Sequence, residues 1–216
     1  MQIGIFAHTF NRPTLAERLD AVKAYGFCCL HFDMSCYPGV PQMPNQVSDA
    51  VCDEICAEMA KRNLTIAAVS GTYNMIHPDR KERDDGFQRL RVLASVCHRI
   101  GTQVISLCTG TRNPVSMWRP HPDNNSPQAW QDLVTEMRRA AHLAQAYGVT
   151  LAFEPEVSNV VDSAQKARRL LDEIQSPHLK VVIDGANLFH EGELLQMRPI
   201  LSQAFDLLGK DIVMAH

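Results

Sequence analysis

Leu151-Ala152-Phe153-Glu154-Pro155-Glu156 is the stretch of sequence that decides the fold. This short apolar run follows Gly148, a residue type that ends helices, and it stops abruptly at two carboxylates separated by a proline. Such a run is typical of a strand that is buried in a parallel sheet. A carboxylate at the tip is unlikely to fill the core, because an unpaired buried charge is costly. The stretch therefore predicts a buried strand whose C-terminal tip carries Glu154 into a polar site.

The same alternation of a short apolar run and a helical pattern continues along the chain on both sides of this strand. Helical patterns begin at residues that favour helix starts, such as Pro13, Ser48 and Ser126, and several end at a glycine. Alternation without hairpin signals favours right-handed βαβ units and a parallel sheet. The strands are predicted over residues 3–8, 27–33, 64–70, 102–107, 151–154, 178–184 and 211–216.

Seven predicted strands and six predicted helices indicate an α/β protein, a (β/α)₈ TIM barrel that is cut short after its seventh strand. We expect a single domain over residues 1–216, because no linker, repeat or low-complexity tract interrupts the pattern. A complete barrel of this type takes about 250 residues. A flavodoxin-like open sheet is the alternative, although it normally has only about five or six strands.

Composition and charge argue against several classes of protein. The 216 residues are 45% hydrophobic and 21% charged, and a net charge of −3 indicates no basic face for nucleic acid. No apolar run approaches the roughly 18–20 residues of a membrane-spanning helix, and the N-terminus lacks the pattern of a signal peptide. The seven cysteines are expected to be reduced. The sequence therefore predicts a cytoplasmic protein with no nucleic-acid or membrane partner.

Polar side chains follow almost every predicted strand, and functional groups of a barrel lie at the C-terminal ends of its strands. Glu154, Asp184 and His216 end three successive strands, so we expect them to converge. Two carboxylates and an imidazole suit one divalent cation that accepts oxygen and nitrogen ligands, such as Mn²⁺, Mg²⁺, Co²⁺ or Zn²⁺. The other strand ends carry His8, Asp33, Asn74, His77, Cys108, Thr109, Glu156 and Asn187.

Several of these residues also have a structural interpretation. Glu154 and Asp184 could cap helices or pair with buried arginines. His8 is more often a structural histidine in such a position, whereas His77 lies on a loop and is expected to line the pocket. Asp33 suits a loop cap as well as a site.

Five segments of the chain resemble one enzyme family. Glu154-Pro155-Glu156, the turn Asp184-Gly185-Ala186-Asn187-Leu188 and the terminal Val213-Met214-Ala215-His216 are similar to the sugar phosphate isomerase/epimerase family, within the xylose isomerase-like TIM-barrel superfamily. Gly71-Thr72-Tyr73-Asn74-Met75-Ile76-His77-Pro78 and Leu107-Cys108-Thr109-Gly110-Thr111 resemble one bacterial branch of it. The resemblance covers essentially the whole chain.

The resemblance implies a divalent-metal-dependent isomerase or epimerase of carbohydrate metabolism that acts on a keto-sugar, a sugar phosphate or a polyol. In ketose 3-epimerases of the superfamily a Glu, an Asp, a His and a final Glu hold one metal ion, and the first three correspond to Glu154, Asp184 and His216. Glu154 would also be the catalytic base that moves a proton through a metal-stabilised enediolate. The final Glu is expected on an eighth strand beyond residue 216, which again implies a truncated barrel.

The strand ends and the resemblance together predict the substrate contacts and the partners. The substrate is a small sugar or polyol, and many family members form dimers or tetramers, so we also expect a homo-oligomer. The residues expected to contact substrate are Asn74, His77, Glu156, Asn187 and His8.

Three other functions fit the same barrel. The first is an inosose-type dehydratase that uses the same site, and the second is a barrel that has lost turnover. The third is a metal-dependent phosphodiester hydrolase similar to the endonucleases that act at abasic sites in DNA. Those endonucleases need extra histidines where this chain has Cys108-Thr109 and Asn187, which favours a single metal ion.

Overall fold

The computed structural model of the protein describes residues 2–216. Within this range strands and α-helices alternate, and the predicted order of seven strands and six helices is confirmed. The strands are β1 (Gly4–Phe6), β2 (Cys29–Phe32), β3 (Thr65–Ser70), β4 (Val104–Cys108), β5 (Thr150–Glu154), β6 (Leu179–Ile183) and β7 (Ile212–Ala215). The helices are α1 (Leu15–Ala24), α2 (Asp49–Lys61), α3 (Arg80–Val96), α4 (Pro127–Tyr147), α5 (Ala164–Ile174) and α6 (Met197–Leu208).

Helix boundaries follow local hydrogen bonding. Ser48, Ser126 and Ser163 precede α2, α4 and α5, and each hydroxyl accepts a hydrogen bond from the backbone N–H three residues on. The first helix begins two residues after Pro13, because Thr14 and Glu17 form a reciprocal capping box there. Gly148 ends α4 with a φ of 64°, a left-handed conformation that glycine adopts without strain.

The strands β1, β2 and β3 are hydrogen-bonded in their sequence order, and so are β5, β6 and β7. The chain divides into two compact units, the first formed by residues up to Gly71 together with Gln88–Ile105 and the second by Thr72–Phe87 together with Ser106–His216. In the first unit β1 pairs with β2 and β2 with β3, both parallel. That residues 1–216 form a single domain stays a prediction.

In the second unit β5, β6 and β7 form parallel pairs whose register brings three strand ends to one edge. Phe153 lies opposite Val181, so the next residue along β5, Glu154, is level with the following residue of β6. A register shift separates the two halves of the β6–β7 pairing, after which Ile183 lies opposite Ala215. The backbone N–H of His216 then donates to the Ile183 carbonyl over 2.9 Å.

The core of the second unit is apolar from the middle of the strands outward to the helices. The side chains of Leu151, Phe153 and Val181 are fully buried, as predicted for strands of a parallel sheet. α4 contacts β5 and α5, and α5 contacts β6 and α6. Burial on both faces of the strands leaves their C-terminal ends as the place where polar side chains meet.

Asp211 anchors the start of β7. Its carboxylate accepts hydrogen bonds from the Lys180 ammonium on β6 and from the Arg168 guanidinium on α5, each over 2.7 Å. Burial raises the pKa of Asp211, but the hydrogen bonds from the two cations outweigh it and lower that pKa below the ordinary value of 3.8. The anchor therefore holds the strand that carries His216.

We expect Asp211→Asn to remove a stabilisation that depends on pH. A carboxyl pKa that is lower in the folded state stabilises the fold above pH 3.8, and the contribution is lost as the pH falls through the folded-state pKa. The difference in unfolding free energy between the wild type and the variant should be constant above about pH 5 and shrink below about pH 4.

Urea unfolding of the wild type and the variant between pH 3 and pH 7 measures this difference. Asp172→Asn is the matched control, because Asp172 also pairs with Arg168 but its side chain is 66% exposed. A difference at Asp211 that did not change with pH would contradict the anchoring role.

Two further expectations concern the whole of residues 2–216. All seven cysteines are free in the described range, and their reduced state stays a prediction. In this described range no α-helix combines the length and the apolar character that crossing a membrane requires.

Candidate metal centre

Glu154, Asp184 and His216 meet at the ends of β5, β6 and β7 in the second unit. Each offers one ligand atom, and the three atoms lie within 4.8 Å of one another. Neighbouring ligands of a small divalent cation, with bonds of about 2.0–2.2 Å, lie roughly 3.0–3.5 Å apart. The three side chains therefore need to draw together by up to about an ångström to hold one ion.

Hydrogen bonds already link the three side chains. The His216 Nδ1 atom lies 3.1 Å from Glu154 Oε2. The Asn187 amide donates to Glu154 Oε1 over 2.6 Å and to Asp184 Oδ2 over 3.0 Å. The side chains of Glu154 and His216 are only 20% and 25% exposed, so these bonds form in a partly desolvated place.

Asp184 also has the structural role that the sequence left open. Its Oδ1 atom accepts from the Ala186 backbone N–H over 2.9 Å and caps the short 3₁₀ turn Gly185–Leu188. Each carboxylate oxygen has two acceptor sites, so capping the turn and binding a cation are compatible. The cap fixes how the carboxylate leaves the end of β6.

The charge balance of the cluster favours a cation. The hydrogen bond with Glu154 raises the pKa of His216 above its ordinary value of 6.5, burial opposes the rise, and the charges of Glu154 and Asp184 add to it. Two carboxylates thus draw positive charge to this point. Two carboxylate oxygens and an imidazole nitrogen fit a divalent ion such as Mn²⁺, Mg²⁺, Co²⁺ or Zn²⁺.

Glu156 lies just past the cluster and is held by a residue that the sequence did not single out. The buried Asn159 amide donates to Glu156 Oε2 over 2.5 Å, and its Oδ1 accepts from the Gly110 backbone N–H over 2.5 Å. Burial raises the pKa of Glu156, hydrogen bonds from Ser158 oppose the rise, and the charge of Glu154 adds to it. An asparagine three residues after a strand-end carboxylate is a turn signal that could have revealed this contact.

Asn74 and His77 lie together, and both already bond to the backbone. The Asn74 amide donates to the Thr111 carbonyl over 2.8 Å and its Oδ1 accepts from the Thr111 N–H over 2.9 Å. His77 Nδ1 accepts from the Asp79 N–H over 3.1 Å, and Nε2 lies 3.3 Å from the Pro114 carbonyl. The Nε2 atom therefore carries the proton in this arrangement.

Both side chains line an open cleft of about 570 Å³ beside the long loop that follows β4. The indole of Trp118, which is 59% exposed, lies on the same cleft. The predicted substrate contacts of Asn74 and His77 stay predictions.

The long loop is held by an asparagine that carried no visible sequence signal. The buried Asn124 accepts from the Thr111 hydroxyl over 3.0 Å and from the Arg112 N–H over 2.7 Å. Its amide donates to the Ser158 carbonyl over 3.0 Å. The loop after β4 is thereby tied to the turn that contains Asn159.

His8 and Asp33 belong to the first unit and are not part of the Glu154 cluster. His8 lies in the 3₁₀ turn Ala7–Thr9, is exposed, and has its ring 4.1 Å from that of Phe6. Its predicted substrate contact stays a prediction. Asp33 acts as a loop cap, since its Oδ1 accepts from the backbone N–H and the hydroxyl of Ser35 over 2.7 Å and 2.5 Å.

Comparison with known proteins gives a family and a fold. The sequence profile of a family described as "Xylose isomerase-like TIM barrel" matches residues 19–216.

Three solved structures illustrate the likeness, and at identities under 25% they establish the fold alone. The 3-keto-D-glucoside 4-epimerase of E. coli, in its apo form, has a TM-score of 0.73 and 18% identity over 100% of this chain and 78% of its own. The D-psicose 3-epimerase of Clostridium cellulolyticum H10 with D-tagatose has a TM-score of 0.72 and 19% identity over 96% of this chain and 71% of its own. The IolI protein with a zinc atom has a TM-score of 0.71 and 16% identity over 100% of this chain and 72% of its own. The predicted TIM-barrel class is therefore confirmed, and the flavodoxin-like alternative is excluded.

Proposed function

Since the chain belongs to the xylose isomerase-like TIM-barrel family, we propose that it is a divalent-metal-dependent isomerase or epimerase of a keto-sugar, a sugar phosphate or a polyol. The observation that carries the proposal is the convergence of Glu154, Asp184 and His216 to within 4.8 Å. Structures of similar fold include epimerases of a keto-glucoside and of a ketose, and a protein with a zinc atom. These likenesses support a sugar substrate and a metal ion.

Glu154, Asp184 and His216 are the residues that would hold the ion. When bound, a divalent cation polarises a substrate carbonyl and the neighbouring hydroxyl, and so acidifies the C–H bond of the carbon that carries this hydroxyl, next to the carbonyl. The three side chains offer their ligand atoms from the C-terminal ends of three separate strands, so the rigid sheet sets their spacing.

Glu154 is the residue that would take the substrate proton. Its carboxylate lies within the cluster, and its two oxygens are oriented by Asn187 on one side and by His216 on the other. A base that is held in place by other side chains loses little freedom when the substrate binds. Protonation of the same carbon from the opposite face, by water or another acid on that side, gives epimerisation, whereas delivery of the proton by Glu154 to the neighbouring carbon gives isomerisation.

Deuterium exchange tests the proposal across several classes of substrate at once. Ketoses, keto-glycosides and their phosphates are incubated with the Mn²⁺-loaded protein in D₂O, and incorporation is followed by mass spectrometry and ¹H NMR. We expect one class of substrate to exchange a C–H next to its carbonyl, with loss of exchange in chelator and recovery on adding Mn²⁺.

The same spectra separate the alternatives. Loss of water from the substrate would indicate the dehydratase, and cleavage of a phosphodiester added to the panel would indicate the hydrolase. Absence of exchange throughout the panel, with Mn²⁺ bound, would overturn the isomerase proposal.

A further inference from the structure

Asn187 lies between the two carboxylates of the candidate metal centre. Its amide nitrogen is 2.6 Å from Glu154 Oε1 and 3.0 Å from Asp184 Oδ2. A side-chain amide nitrogen has two hydrogens, and each of these carboxylate oxygens accepts one. The Asn187 side chain therefore has no N–H left for a substrate, and only its Oδ1 atom could accept a bond from one.

The backbone of Asn187 holds the same two strand ends together. Its N–H donates to the Asp184 carbonyl over 3.2 Å, and its carbonyl accepts from the Val157 N–H over 3.0 Å. Val157 lies in the segment after β5, three residues beyond Glu154. Residue 187 thus joins the end of β5 to the turn after β6 through both its backbone and its side chain.

A neutral amide suits this position for an electrostatic reason. Glu154 and Asp184 repel each other when both are ionised, and a shared donor offsets part of that repulsion. A lysine or arginine would do the same but would add a positive charge that competes with a bound cation. An amide orients the two carboxylates and leaves their charge for a metal ion.

We propose that Asn187 is a positioning residue that clamps Glu154 and Asp184 in the orientation that a divalent cation requires, in place of the substrate contact expected from the sequence. The inference rests on the proposed metal site. Side chains that hydrogen-bond to metal ligands in this way typically contribute about 10–100-fold to metal affinity.

Mn²⁺ titration of the metal-free protein, by electron paramagnetic resonance and calorimetry, tests the clamp. Asn187→Ala should weaken Mn²⁺ binding by about 10–100-fold. The control is Asn125→Ala, since Asn125 is exposed and its Oδ1 accepts from the Lys166 ammonium over 2.9 Å. The control should bind Mn²⁺ like the wild type, and thermal unfolding in chelator checks that both variants fold.

A second measurement reads the clamp directly. In ¹H–¹⁵N spectra of the metal-free wild type, the two side-chain amide protons of Asn187, assigned by their loss in Asn187→Ala, should exchange slowly with water. Fast exchange of both protons would overturn the inference. A folded Asn187→Ala variant with unchanged Mn²⁺ affinity and a raised KM for the sugar substrate would overturn it as well. If the wild type itself bound no Mn²⁺, the metal role of Asn187 would fall together with the proposed function, whereas failure of the clamp alone leaves wild-type Mn²⁺ binding intact.

Discussion

Glu154→Gln is expected to lower the rate of substrate C–H exchange by about 10²–10⁴-fold, the usual contribution of a general base. The substitution keeps the shape of the side chain and removes its ability to take up a proton. It also replaces a charged oxygen of the candidate metal centre, so Mn²⁺ should bind more weakly. Deuterium incorporation at saturating Mn²⁺ separates the loss of the base from the loss of metal affinity.

The fold should tolerate this change, because the neutral side chain can keep its local contacts. The Gln oxygen can still accept the Asn187 amide, which lies 2.6 Å from Oε1 in the wild type. Its new amide can donate to His216 Nδ1, which lies 3.1 Å from Oε2. Circular dichroism and the thermal midpoint in chelator should therefore stay close to those of the wild type.

Glu191→Gln is the matched control for this experiment. Glu191 is exposed in the same unit and is a position with no predicted part in the site. It should exchange substrate protons at the wild-type rate. A Glu154→Gln protein that did the same, with Mn²⁺ bound, would remove Glu154 from the role of base.

Asp184→Ala is expected to weaken Mn²⁺ binding by more than the roughly 100-fold that marks the upper range for a residue outside the ligand set. The substitution removes one of two carboxylates from the cluster. It also leaves the Asn187 amide with a single carboxylate partner. Both effects lower the affinity for a cation, and Mn²⁺ titration of chelator-treated protein measures their sum.

Asp184→Asn separates metal binding from capping. An Asn side-chain oxygen can still accept the Ala186 N–H that caps the turn Gly185–Leu188, but it brings no charge, and its NH2 group cannot accept the bond from the Asn187 amide. We expect this variant to lose Mn²⁺ affinity and to keep the cap, whereas Asp184→Ala should also lose roughly 0.5–2 kcal/mol of stability with the cap. Asp206→Ala, at an exposed position on α6, is the control for both.

Loss of stability with unchanged Mn²⁺ affinity would assign Asp184 to the cap alone. In that case the cluster would lack a second carboxylate, and Glu154 with His216 would be too small a ligand set for Mg²⁺ or Mn²⁺.

The order of the elements could be predicted because each rests on a local pattern. Ser48, Ser126 and Ser163 cap their helices through bonds to N–H groups three residues on, which neighbouring sequence is enough to specify. Apolar runs that end in a carboxylate marked β5 and β6, since a buried strand has to be apolar on both faces. Strand boundaries were less well predicted, because pairing with neighbours decides where a strand stops.

The convergence of the metal candidates could also be predicted, but only in outline. Successive parallel strands place their C-terminal residues at one edge, so Glu154, Asp184 and His216 had to be neighbours. The contact between His216 and Glu154 joins residues 62 positions apart in the sequence. It also depends on a register shift in the β6–β7 pairing, because this shift sets the position of His216 beside the end of β6. No local pattern specifies such a shift.

The sequence by itself determined the alternation of strands and helices, the family, and the three residue types that end β5, β6 and β7. Only the tertiary structure decided that Asn187 reaches Glu154 as well as Asp184, that Asn74 bonds to the Thr111 backbone, and that His77 lies beside the Pro114 carbonyl. The physical reason is one of range. Helix capping and strand burial depend on neighbouring residues, whereas a side-chain amide selects its partners only after packing has brought distant polar groups within about 3 Å.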